Sequence, residues 1–199
     1  MNINIDKNNI RILKKYLKNR KRINHSISTA KEMIKFSKKY NINPKQAEYA
    51  GIFHDLAKDF SDKKLKDLSL KSGHGIDPFE KYNPILLHSY VSAYITRQEV
   101  SDISSEALAA IKNHTLGDVK MSEIEKLLYI IDFSEPERDY PEAKMARKLL
   151  NESIEDALFY VVKTTIVYLI NENRILHPKS IKLYNNLVSE GGFHGKIYF

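Results

Sequence analysis

The chain has 199 residues, 42% apolar and 29% charged, with a formal net charge of +7, which is enough for one domain with a sizeable core. The lack of cysteine excludes disulfides, thiolate nucleophiles and thiolate-bound zinc or iron–sulfur centres, and argues against an oxidising compartment. No apolar run approaches a membrane span and the start M-N-I-N-I-D-K has no secretory segment, so a soluble cytoplasmic protein without membrane contact is expected.

The charge is uneven. Residues 1 to 22 hold eight Lys or Arg against one acid, Asp6, while the remainder balances. Lys supplies 25 of the 32 basic side chains, whereas base-reading grooves lean on Arg. A solvated helix face and an attractor of polyanions both fit this basic start.

Long periodic stretches with few Pro and Gly, and almost no alternating runs, predict an all-α helical bundle. Ile10, Leu13 and Leu17 mark the apolar stripe of a basic first helix, within residues 1–21, packed on the main domain. A second helix is expected over about 23–40, and Asn43-Pro44 starts a third that runs to about Asp59. A short charged helix over 61–70 and a loop at K-S-G-H-G-I-D-P-F follow. Asn83-Pro84 starts a helix to about Glu99, and another covers 104–114. Ser122-Glu123-Ile124-Glu125 reads as a capping box. Helices over 142–150 and 153–172, and a last one from His177-Pro178, complete the chain, with 188–199 as a tail.

Within that pattern, A-G-I-F-H-D-L-A-K sets His54 and Asp55 side by side, above the small residues Ala47, Ala50 and Gly51 that allow a close neighbour. Lys58 shares their face. His88 lies on a stripe with Ile85, Val91 and Ile95, His114 on one with Ala107, Ala110 and Ile111, and Asp132 above Leu128 and Tyr129. A lone inward His is commonly a hydrogen-bonded core residue, but an inward carboxylate needs a cation or several donors. His25 is the weakest member by pattern, because its face is polar. Imidazole and carboxylate without thiolate suit iron, manganese or zinc. Six such groups would suit two metals roughly 3.5–4 Å apart.

The order H…HD…H…H…D resembles the HD-domain phosphohydrolase superfamily. R-I-N-H, A-G-I-F-H-D-L-A-K, L-L-H, N-H-T-L-G, M-S-E-I-E-K-L-L-Y-I-I-D-F-S-E-P-E-R and H-P-K-S-I-K-L-Y-N narrow the resemblance to the YqeK-type family, bacterial symmetrical diadenosine tetraphosphate (Ap4A) hydrolases. It covers about Arg22 to Leu187 and implies an HD-domain helical bundle over 22–187 with two divalent metal ions, iron first and manganese as the alternative. The resemblance places one metal on His25, His54, Asp55 and Asp132. It places the second on His88 and His114, with Asp55 bridging. Cleavage of Ap4A to two ADP is the implied reaction.

Asp55, Lys58 and Arg138 would form the catalytic set, with Lys58 and Arg138 on phosphate, although Arg138 also reads as an ion-pair partner of Glu135 or Glu142. Arg22, Thr115, Gly117 and His177 would be further substrate contacts. Ser89 and Ile131 depart from the family's usual residues and leave nucleotide preference open. His74 and His194 read as structural or incidental.

Two other functions stay in view. The same metal chemistry serves other HD proteins on dNTPs, nucleoside monophosphates, (p)ppGpp or cyclic nucleotides. A non-catalytic nucleic-acid-binding bundle would use the basic first 22 residues but leaves the inward His and Asp unexplained. The expected partners are a dinucleoside polyphosphate and its nucleoside diphosphate product, with no specific nucleic acid; a homodimer is compatible with this.

Overall fold

Short polar side chains set where helices begin, by accepting the N–H groups that a first turn leaves unpaired. In the computed structural model, which describes residues 3–191, Asp6 opens α1 (Lys7–Tyr16), Asn19 opens α2 (Arg20–Ser37) and Asn43 opens α3 (Pro44–Phe53). Ser61 opens α4 (Asp62–Lys71), and a capping box of Asp77 and Glu80 opens α5 (Pro78–Tyr82). A 3-10 turn, Pro84–Leu87, leads into α6 (His88–Glu99). Ser104 opens α7 (Ser105–Asn113), Ser122 and Glu125 box α8 (Glu123–Ser134), and α9 (Pro141–Leu150) follows. Ser153 opens α10 (Ile154–Asn171), and the His177 side chain caps α11 (Pro178–Ser189). Among the described residues the regular structure is entirely helical. His194 and most of the expected tail lie outside them.

Several boundaries differ from the sequence reading, and α2 runs Arg20–Ser37 rather than about 23–40. α3 ends at Phe53 rather than near Asp59; from there the chain tightens into successive turns, with Leu56 N–H on Phe53, Lys58 N–H on Asp55 and Phe60 N–H on Ala57. The helix expected from Asn83 is a 3-10 turn before α6 proper. The stretch read as a loop contains the start of α5, because Asp77-Pro78 is itself a helix start.

The packing order explains the small residues. α2 lies against α3 and α8, and α7 bridges α3, α6 and α8. A Cβ on Gly51 would come within 2.6 Å of Ala30 Cα, so glycine lets α3 sit directly on the α2 backbone. Phe53, Met33, Leu56, Leu127 and Leu128 are fully buried around that crossing. α1 packs on α3, with Leu13 and the C-cap Leu17 buried, while Lys7, Arg11, Lys14 and Lys15 face solvent. No helix of the described chain is long and apolar enough to cross a membrane.

Candidate metal centre

Helix ends converge on the site. His54 is the C-cap of α3, His114 is the C-cap of α7, and Asp132 lies in the last turns of α8. Helix C-termini carry partial negative charge and favour a cation. His88 opens α6, and His25 reaches in from α2. His54, Asp55, His88 and His114 are buried, and the Asp132 side chain keeps 25% of its exposure.

Hydrogen bonds fix what these rings present. His54 Nδ1 lies 2.7 Å from the Gly51 carbonyl and His114 Nδ1 2.7 Å from that of Ile111. His88 Nδ1 contacts the Ile85 carbonyl. A carbonyl only accepts, so each Nδ1 carries the proton and each Nε2 turns a lone pair inward. His25 is held the same way by a side chain, with Nδ1 3.2 Å from Glu135 Oε1.

The inward atoms crowd together. His88 and His114 Nε2 are 3.1 Å apart, and His25 and His54 Nε2 are 3.2 Å apart. Asp55 Oδ1 is 3.0 Å from His88 Nε2 and 3.5 Å from His114 Nε2, while Oδ2 is 3.7 Å from His54 Nε2. Asp132 Oδ1 is 2.9 Å from His25 Nε2 and 3.6 Å from His54 Nε2. Despite its neighbours, Asp55 Oδ1 is a buried atom with no hydrogen bond. The Nε2 atoms of His88 and His114 have no proton to give in these tautomers, and Lys58 Nζ, 3.4 Å away, makes an ion pair with Oδ1 rather than a hydrogen bond. A buried ring of acceptors around an orphaned carboxylate oxygen fits a divalent cation.

The titration behaviour agrees. Burial would raise the Asp55 carboxyl, but the neighbouring Lys58 charge above all holds it well below the usual range. Asp132 is likewise driven down against its burial by His25 and His54. Burial and the Lys58 charge depress His88 to about 4, which keeps it in the neutral, ligating form. Burial opposes a charge on His25, yet Asp132 and Glu135 raise it to about 9. Its proton therefore has to leave before Nε2 can bind a metal.

Lys58 Nζ stands 3.0 Å from His88 Nε2 and 3.4 Å from Asp55 Oδ1, and Thr115 Oγ1 lies 3.1 Å from His114 Nε2. At the opposite end Arg138 Nη2 faces Asp132 Oδ1 at 3.8 Å and Nε faces Glu135 Oε1 at 3.8 Å, with Nε making no hydrogen bond. A family model described as HD domain matches residues 22–186. The chain belongs to the HD-domain family.

HD-domain relatives match nearly end to end. Proteins of Bacillus subtilis and Halalkalibacterium halodurans are 32% and 31% identical, over 83% and 85% of this chain and 88% and 90% of theirs. Both are named symmetrical bis(5'-nucleosyl)-tetraphosphatase. A crystal structure from Clostridium acetobutylicum, described as a "predicted HD superfamily hydrolase involved in NAD metabolism", superposes with a TM-score of 0.86 at 28% identity. It covers 92% of this chain and 96% of its own.

Other residues singled out from the sequence stand further from this HD-domain cluster. Arg22 Nη1 is engaged with the Lys58 carbonyl and the Asp59 carboxylate. His177 uses both ring nitrogens within the protein: Nε2 lies 2.8 Å from Asp77 Oδ2, and Nδ1 accepts from Lys179 N–H. Gly117 has φ +72°, and a Cβ there would meet Leu183 Cδ2 at 2.3 Å. Its glycine therefore makes room for α11 rather than for a ligand. His74 stacks on Tyr90 with ring centroids 3.5 Å apart and contacts Glu80 at 3.0 Å, a structural setting. The 700 Å³ depression along the basic α1 includes none of the cluster residues.

Two contributors escaped the sequence reading. In sequence Glu135 reads only as an ion-pair partner of Arg138, yet it is buried and orients His25. Arg147 Nη1 donates to the carbonyls of Ser134 at 2.6 Å and of Glu135 and Arg138 at 3.1 Å each, and so shapes the turn that carries both residues. Pro136 signals only that α8 stops; nothing local foretells where the turn aims its side chains.

Proposed function

We propose that this chain is a metal-dependent hydrolase that cleaves diadenosine tetraphosphate symmetrically into two ADP. The observation that carries the reading is the split of acceptors about Asp55: Oδ1 toward His88 and His114, Oδ2 toward His54, with His25 and Asp132 beyond. Relatives named symmetrical bis(5'-nucleosyl)-tetraphosphatase over most of their length support the substrate. His25, His54, Asp55 and Asp132 would hold one divalent cation and His88 and His114 the other, with Asp55 shared. Iron is the first choice and manganese the alternative. Such cations supply charge neutralisation at phosphate oxygens and a water of lowered pKa.

The chain's own groups do the rest. Lys58 and Thr115 bind phosphate oxygens at the His88 end, and Arg138 offers its planar fork at the Asp132 end. Glu135 keeps the His25 lone pair aimed inward. Arg22 steadies the turn carrying Lys58 through its carbonyl, and His177 ties the start of α11 to that of α5. Water adds to the second phosphorus from one end, the bridge to the third phosphate breaks, and each half leaves as ADP. Chromatography of the products tests this: two ADP per Ap4A is expected, whereas ATP plus AMP, or faster turnover of a mononucleotide, refutes it.

A further inference from the structure

The cluster has two ends, and a dinucleotide laid across it has two nucleosides to place. Beyond Arg138, between the α8–α9 turn and α10, lies a cavity of about 660 Å³, within the usual range for small-molecule sites. The Arg138 side chain lines it while facing Asp132 at 3.8 Å, so Arg138 stands between the cavity and the His/Asp cluster. Its walls include Phe133, Tyr140, Thr164, Thr165 and Tyr168.

We infer that this cavity binds one nucleoside of the dinucleotide, with its base against Tyr168 and the adjoining phosphate on Arg138. This rests on the Ap4A reading above. The inner wall is rigid: Tyr140 donates to the Phe133 carbonyl at 2.6 Å, and the two rings meet edge to face with centroids 5.5 Å apart. Tyr168 is 53% exposed, leaving a ring face free for a base. Thr164 and Thr165 offer hydroxyls for ribose or base edges. Glu142 also lines the cavity, and its carboxylate disfavours phosphate there, which leaves the uncharged nucleoside as the part that fits. The Arg138 guanidinium marks the boundary between the two.

The test is steady-state Ap4A hydrolysis by the metal-loaded enzyme, with inorganic tripolyphosphate as a competitive inhibitor that carries no nucleoside. Tyr168→Ala should raise KM for Ap4A about tenfold, the usual loss of one base–aromatic stack, with the loss falling on KM rather than kcat. Tyr168→Phe should restore KM, and Thr165→Trp, which fills the cavity, should raise it again. The tripolyphosphate inhibition constant should stay at the wild-type value in all three. An unchanged KM in both Tyr168→Ala and Thr165→Trp overturns the assignment, as does tripolyphosphate weakening in parallel with Ap4A. Absence of Ap4A hydrolysis in the wild-type enzyme defeats the underlying functional reading, and is seen before any variant is made.

Discussion

Replacing Gly51 with alanine tests how the metal centre depends on helix packing. An alanine in a helix normally gains up to about 1 kcal/mol over glycine. Here the added Cβ would lie 2.6 Å from Ala30 Cα, 2.9 Å from Ala30 N and 3.1 Å from Met33 Cγ. Two of those atoms are α2 backbone, so relief requires α2 and α3 to part by roughly 1 Å. Overpacking of that kind costs about 1–3 kcal/mol, which exceeds the propensity gain and sets the sign as destabilising. The shift would not stay local, because the Gly51 carbonyl holds His54 Nδ1 at 2.7 Å and His25 sits on α2. Urea unfolding of metal-free protein should show a loss of about 1–2 kcal/mol. Manganese titration should show weaker binding, and kcat should fall by up to about 100-fold for a 1 Å displacement. A Gly51→Ala protein with wild-type stability and metal affinity would refute the argument that the α2–α3 contact sets the ligand geometry.

Other substitutions probe the remaining links. Asp55→Ala should abolish bound metal by elemental analysis and Ap4A hydrolysis by product assay while keeping the helical circular dichroism; full activity would remove Asp55 from the bridging position. Glu135→Gln should weaken metal binding about 10- to 100-fold, the usual cost of losing a carboxylate behind a histidine ligand, as read by chelator competition. Asp59 accepts from the Lys18 and Asn19 N–H groups and from Arg22, and these pull its carboxyl below 3.8 against the effect of burial. A depressed carboxyl contributes stability that is full above 3.8 and lost as pH falls through its folded value. Asp59→Asn should therefore be about 1.5 kcal/mol less stable at pH 7, with the deficit closing below pH 3.8; a deficit constant from pH 7 to pH 3 would exclude the carboxylate as its source.

Much of this was legible in the chain because the governing interactions are local. Asn43-Pro44 and Ser122 with Glu125 set helix starts where their chemistry says, and the Ala47–Ala50–Gly51 face did mark a close helix contact. The residues His54, Asp55, His88, His114 and Asp132 were visible as polar groups on apolar faces. His25 was not, because its helix face is polar in sequence and becomes a site wall only when α8 arrives with Asp132 and Glu135. The early end of α3 was also hidden. There the His54 ring takes the Gly51 carbonyl and the chain continues in tighter turns, a competition between side chain and backbone that periodicity does not register. His177 reads as a helix-start residue, and its pairing with Asp77 across 100 positions has no local signal.

The three rings that lean on Gly51, Ile85 and Ile111 draw their orientation from the main chain of their own turns, three residues back in each case. These contacts are made by main-chain carbonyls rather than by side chains. Substitutions across the surrounding pocket that leave those backbones in place can therefore accumulate, altering which nucleotide is accepted, without reorienting these ring nitrogens. Such an arrangement separates the part of the enzyme that must stay fixed from the part that is free to drift. The same helical frame can thus acquire new substrates without rebuilding its chemistry.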